Sequence, residues 1–229
     1  MRTKTLLLTA ALSVAGIATS MAQAVYSVNA VGYVNTDLVP GFNMISNPLD
    51  NKAPNGNTIA NLFTTGFQGA IPNALTVYHF DPVTDQFVST GYDDLDQAFG
   101  GAVANQVIPP GTGMFVFLPG TVNKRITFVG EVPQGAASNQ QLPQGFSIKA
   151  STVPISGLVT SMAFPAGQAD TIYEWDKVAQ QYVSASYDDL ELTWVRNGQP
   201  AVPNIDVGEA FFLFKVQAAT WTRNFAVNQ

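Results

Sequence analysis

The chain has 229 residues, of which 46% are hydrophobic and only 11% charged, where ordinary domains carry about 25%, so a folded chain is expected rather than a disordered one. Ten basic and sixteen acidic residues give a net charge of −6, with no cysteine and a single histidine, His79. Disulfides, cysteine nucleophiles and multi-histidine metal centres are thereby excluded, and no basic stripe exists to displace counterions from nucleic acid.

Arg2 and Lys4 precede a short apolar run, Leu6 to Ile17, and Ala22-Gln23-Ala24 supplies a small-x-small cleavage site. Residues 1–24 therefore read as a secretory signal peptide. The apolar run is too short for a transmembrane anchor, which needs about 20 residues. Losing Arg2 and Lys4 leaves eight basic against sixteen acidic residues. An exported chain without cysteine must draw its stability from its core.

Shifting the chain by 95 positions lays Val77–Phe99 over Ile172–Trp194 with ten of 23 positions identical, among them Tyr78/Tyr173, Asp81/Asp176 and Tyr92/Tyr187. Gly41-Phe42 matches Gly145-Phe146 at an offset of 104, and Pro110–Phe115 matches Val207–Phe212 at an offset of 97. The chain reads as a duplication: residues 25–132 form a first β repeat with an N-terminal strand, 133–142 a linker, and 143–229 a second β repeat. The shrinking offset places an insertion of about nine residues between Asp50 and Val77 of the first copy. It includes a predicted short helix, Thr58–Phe63, capped by Thr58. A shorter version is expected near Gly157–Phe164.

Short aromatic and β-branched runs bounded by turn residues predict strands at Phe42–Ser46, Leu75–Phe80, Gln86–Tyr92, Met114–Leu118 and Arg125–Val132. Their counterparts are Phe146–Thr152, Thr171–Trp175, Gln181–Tyr187, Ala210–Val216 and Trp221–Val227. Asp81–Asp85 reads as a hairpin turn. The expected fold is all-β: two tandem copies of a small β-sandwich or barrel-like unit, with the short helix inserted in the first. Such strands are too short for an outer-membrane barrel, whose strands run to about 9–11 residues.

GFNMISNP at Gly41–Pro48, the Tyr-x-aromatic-Asp hairpin at Tyr78–Asp81 and PGTGMFVF at Pro110–Phe117 follow one another in that order. The chain thereby resembles secreted bacterial modules with the pattern Gly-(Trp/Phe)-Asn-Leu-Ile-x-Asn-Pro, Tyr-x-(Phe/Trp)-Asp, Pro-Gly-x-Gly-Phe-Phe. With VYSVNAVGYVN at Val25–Asn35 it is similar to exported two-repeat β proteins of no established activity. The resemblance implies export and a β fold, and it implies no catalytic residues.

The repeated Tyr-Asp-Asp-Leu blocks are the sharpest chemical constellation. Tyr92, Asp93 and Asp94, with Tyr187, Asp188 and Asp189, are the candidate ligand-binding residues, for sugar hydroxyls or for calcium, which takes 6–8 oxygen ligands. The competing reading makes each first Asp a turn cap. Neighbouring aspartates on an extended segment point to opposite faces, so Asp93 and Asp94 alone cannot form a glycosidase pair. Gly111 and Gly113 lead into a strand with no lysine after them, so a phosphate loop is not supported. Most recurring aromatics read as core, with Tyr92 and Tyr187 expected at the surface, and His79 as a surface residue. The expected protein is secreted, at the cell surface or in the extracellular matrix or periplasm. It is expected to be a non-catalytic structural or interaction protein, self-assembling, without a cofactor. Its expected partners are its own copies or surface polysaccharide, with no nucleic acid and no integral membrane segment. A carbohydrate-binding module is the alternative, and a hydrolase using paired carboxylates a weaker one.

Overall fold

The computed structural model describes residues 30–227. The signal-peptide reading of residues 1–24 lies outside them. The first half contains β1 (Val31–Leu38), β2 (Gly41–Ser46), the helix α1 (Ile59–Gly66), β3 (Thr76–Asp81), β4 (Gln86–Asp93), β5 (Ala98–Phe99), β6 (Gly113–Leu118) and β7 (Lys124–Glu131). The second contains β8 (Gln140–Leu142), β9 (Gly145–Ala150), β10 (Gly157–Leu158), β11 (Thr171–Asp176), β12 (Gln181–Asp188), β13 (Thr193–Arg196), β14 (Gln199–Pro200), β15 (Asn204–Ile205), β16 (Ala210–Lys215) and β17 (Ala219–Trp221). The fold is all-β and antiparallel, with one α-helix among the described residues. No helix among them is long and apolar enough to cross a membrane.

The five-stranded sheet of the first half runs β2-β6-β3-β4-β5, and in the second half β9-β16-β11-β12-β13 repeats that order, with β14 added at the edge. The two-stranded ribbons correspond as well: β1 pairs with β7 and β8 with β17, so that Leu38↔Lys124 matches Leu142↔Ala219. Residues 133–142 hold a 3-10 turn at Ala136–Ser138 and the whole of β8, the counterpart of the end of β1. The sequence extends the last strand to Val227, but β17 stops at Trp221. There Asn139 Oδ1 accepts from the Arg223 and Asn224 amides at 2.8 and 3.2 Å and Ser138 Oγ from the Phe225 amide at 2.9 Å, drawing the chain out of the ladder.

Helix α1 follows from its sequence. Thr58 accepts the Asn61 amide at 3.4 Å as N-cap. Ile59, Leu62, Phe63 and Gly66 are buried at the spacing of one helical face. The second half reduces this element to a single turn, Met162 N–H to Leu158 O at 3.1 Å, with Val159, Met162 and Phe164 filling the core.

Period-two alternation divides each sheet. On β6, Met114, Val116 and Leu118 enter a core shared with α1, while Phe115 faces the other way; on β16, Phe211 and Leu213 enter the second core while Ala210 and Phe212 face away. The two outward faces meet as a third core of Met44, Phe80, Phe115, Ile148, Ala150 and Ala210, with Tyr78, Phe146, Trp175 and Phe212 packed against it. The halves thus have separate cores and a common seam.

The seam is reciprocal. Ser46 donates its amide to Gly208 O at 2.9 Å, and the equivalent Ala150 donates to Gly111 O at 3.0 Å. The bridges Ile45↔Glu209 and Thr112↔Lys149 repeat the exchange. The repeated glycine turns, at φ +87 for Gly111 and +80 for Gly208, therefore dock each half onto the edge strand of the other. Gly113 and its counterpart Ala210 face each other across this seam, and a Cβ on Gly113 would collide with Ala210 Cβ and Ile148 Cγ2. Gly113→Ala is expected to destabilise the protein by about 1–3 kcal/mol in denaturant unfolding, the usual cost of overpacking. Stability equal to the parent would mean that the seam is looser than described.

Candidate functional site

Beyond the third core the sheets part into an open aromatic groove. Phe42 from β2, Tyr78 from β3, Phe87 from β4 and Phe115 from β6 line one wall, Trp175 from β11 and Tyr182 from β12 the other, around about 230 Å³. The rings belong to one network of edge and tilted contacts: Phe42–Tyr78 at 5.8 Å, Phe115–Trp175 at 5.2 Å, Trp175–Tyr182 at 4.9 Å. Tilted and T-shaped pairs suit the ring quadrupole, positive edge to negative face. Phe87 remains 46% and Tyr182 44% exposed.

The hairpins set the groove's shape. The β11–β12 tip is clamped to the first half: Gln180 Oε1 accepts the Phe42 amide at 2.7 Å, while Gln180 Nε2 and Trp175 Nε1 each donate to Phe42 O at 2.9 Å. Lys177 Nζ adds a bond to Asp37 O at 3.2 Å. The residue equivalent to Gln180 in the β3–β4 tip is Asp85, a carboxylate that cannot reproduce the amide's paired donor and acceptor. One hairpin is therefore tied down by side-chain bonds that its counterpart cannot copy.

The six residues nominated from sequence sit elsewhere, at the opposite ends of β4 and β12. Asp93 Oδ1 accepts from the Leu95 and Asp96 amides at 2.8 and 3.4 Å, and Asp188 Oδ1 from the Leu190 and Glu191 amides at 2.9 and 3.3 Å. Each is an Asx turn. Asp94 and Asp189 are exposed; their amides donate to Asn73 Oδ1 at 3.4 Å and Gln168 Oε1 at 2.9 Å. Tyr92 and Tyr187 are half-buried rather than at the surface, against Phe99 at 5.3 Å and Trp194 at 5.6 Å. No three or more His, Cys, Asp or Glu side chains converge as a metal site among the described residues. His79 is likewise half-buried; burial lowers its pKa, and its Nδ1 has no hydrogen-bond partner.

Comparisons with protein-family models, curated proteins and solved structures found no match.

Two polar clefts flank the seam at equivalent places. One, of about 250 Å³, is lined by Thr36, Asp37, Lys177, Asp206 and Glu209 among others. Burial, aided by the charges of Asp206 and Glu174, pushes the Glu209 carboxyl up to about 7 against the pull of Lys177 and of its backbone hydrogen bond from Asp206. The other, of about 630 Å³, contains Asp50, Lys52, Glu131, Gln140 and Lys149. There burial pulls the Lys149 amine down to about 8.

A buried ion pair also escaped the sequence reading. Lys215 and Asp170 pair in the second core with side chains 3% and 1% exposed. Lys215 Nζ also donates to Pro165 O at 2.7 Å, and Asp170 accepts amides from Gly167 at 2.7 Å and Val216 at 2.9 Å. The signal was in the alignment: the equivalent residues of the first half, Leu75 and Leu118, are both apolar and fully buried.

Proposed function

We propose that this is a secreted, non-catalytic interaction protein of the cell surface or extracellular matrix, built by duplication, which associates with further copies of itself through the aromatic groove. The groove carries the reading: half-exposed Phe42, Phe87 and Tyr182 surround a nearly all-apolar opening. Large aromatics left half-exposed around one opening offer apolar surface that a partner can cover. Phe87 and Tyr182 are equivalent residues of the two halves, on strands brought together by a reciprocal seam. In a two-fold contact between copies the same patch meets itself, so the apolar rim of one groove would cover that of the other. The low content of charge, 11%, also leaves little repulsion between faces. The leader read from residues 1–24 supports export, and the matching strand orders support duplication.

Sedimentation velocity over a range of concentration and salt tests the reading. The parent is expected to associate, and the double variant Phe87→Ser/Tyr182→Ser to remain monomeric while still folded. A parent that stays a monodisperse monomer under every condition overturns it.

A further inference from the structure

The larger polar cleft supports an inference independent of the groove. From the mixed donors and acceptors around Gln140 and Lys149, we infer that this cleft is a binding site for a neutral polyhydroxylated ligand, a short saccharide. Its volume, about 630 Å³, lies within the ~300–1,000 Å³ range of small-molecule sites. Gln140 is only 8% exposed and donates Nε2 to Gly111 O, which fixes the orientation of its amide. Its Oε1 is left buried with no hydrogen-bond partner. The donor it needs comes from outside the chain, from a water or from a ligand hydroxyl that takes the water's place.

The charges select the class of donor. Lys52 pairs with Asp50, and Asn57 Nδ2 also donates to Asp50 at 2.7 Å. Two lysines and two carboxylates in the cleft balance each other, which favours neither a phosphate nor a free cation. Lys149 Nζ spends one bond on Gln141 O at 3.0 Å and is a donor with three protons. A hydroxyl can do both through a single oxygen, donating to Gln140 Oε1 and accepting from Lys149. Pro110 supplies a rigid apolar wall for the C–H face of a sugar ring.

The test is NMR titration of the purified protein with cellotriose, maltotriose and chitotriose. Saturable shifts confined to the cleft are expected with at least one of the three. Lys149→Met removes the donor and keeps the aliphatic stem; Gln140→Leu removes the orphaned acceptor. Each is expected to weaken binding about tenfold or more, the scale of one lost polar contact in a cleft. The groove variant Phe87→Ser/Tyr182→Ser is expected to bind as the parent does, whatever its state of association. Because Gln140→Leu also removes a bond to Gly111, Lys149→Met carries the decision if the former fails to fold. No saturable shift with any of the three sugars, or affinity unchanged in Lys149→Met, overturns the inference.

Discussion

Replacing either member of the Asp170–Lys215 pair by leucine is expected to cost about 3–5 kcal/mol, because the survivor is left as an uncompensated buried charge. The first half shows what a neutral solution requires. There Leu75 and Leu118 occupy the equivalent positions, fully buried in the first core. The two amides that bond Asp170, those of Gly167 and Val216, have Pro72 and Pro119 as counterparts, residues with no N–H to satisfy. Asp170→Leu/Lys215→Leu alone is therefore expected to recover only part of the loss, since it strands two N–H groups at about 1–3 kcal/mol each when buried. Adding Gly167→Pro and Val216→Pro is expected to bring stability back to near the parent. Urea unfolding of the singles, the double and the quadruple variant measures this. Singles that lose less than about 1 kcal/mol would show that the pair is solvated.

Glu209 is expected to lower stability as pH rises from about 4.5 to about 7, against the opposite contribution of His79, and Glu209→Gln to remove that loss. The folded-state pKa of Glu209, about 7, lies above its ordinary value of 4.5. The folded state then binds the proton more tightly than the unfolded chain does. The stabilisation is complete below 4.5 and is lost as pH passes through 7, to about 3 kcal/mol at most from 1.36 kcal/mol per unit. The substituted amide would retain an oxygen for the Asp206 N–H, which Glu209 Oε2 now accepts at 2.8 Å. The variant should match the parent at pH 4.5 and exceed it at about pH 7.5, above the folded-state value. Lys149 has the opposite sign: with its pKa lowered to about 8, stability rises again between about 8 and 10.5. Thermal unfolding of parent and variant across this range measures both; identical pH profiles would remove Glu209 as the cause.

Much of the fold was legible because local chemistry decides it. Alternating aromatic runs gave the strands, Thr58 the helix start, and the 95-residue offset the correspondence of strands between the halves. The seam was not legible. Alternation shows that Phe115 and Phe212 share a type of face, but not that the two faces meet, nor that Phe87 and Tyr182 reach across to Phe212 and Phe115 at the exposed margin of that contact. The Tyr-Asp-Asp blocks drew attention because acids beside an aromatic are conspicuous in a chain with few charges. Their repetition is accounted for by two turns that need the same Asx cap. Asp170 and Lys215 were hidden for the opposite reason: 45 residues apart in sequence, they become a pair only when β16 lies beside β11.

The exchange of glycine turns across the seam has a consequence for dissection of the molecule. Cut at the segment before β8, each fragment would keep its private core yet display a bare hydrogen-bonding margin, along β2 in one and β9 in the other. Such margins recruit strands from neighbouring molecules. Fragments are thus destined to re-pair when mixed and to precipitate when kept apart, so the smallest well-behaved piece contains both.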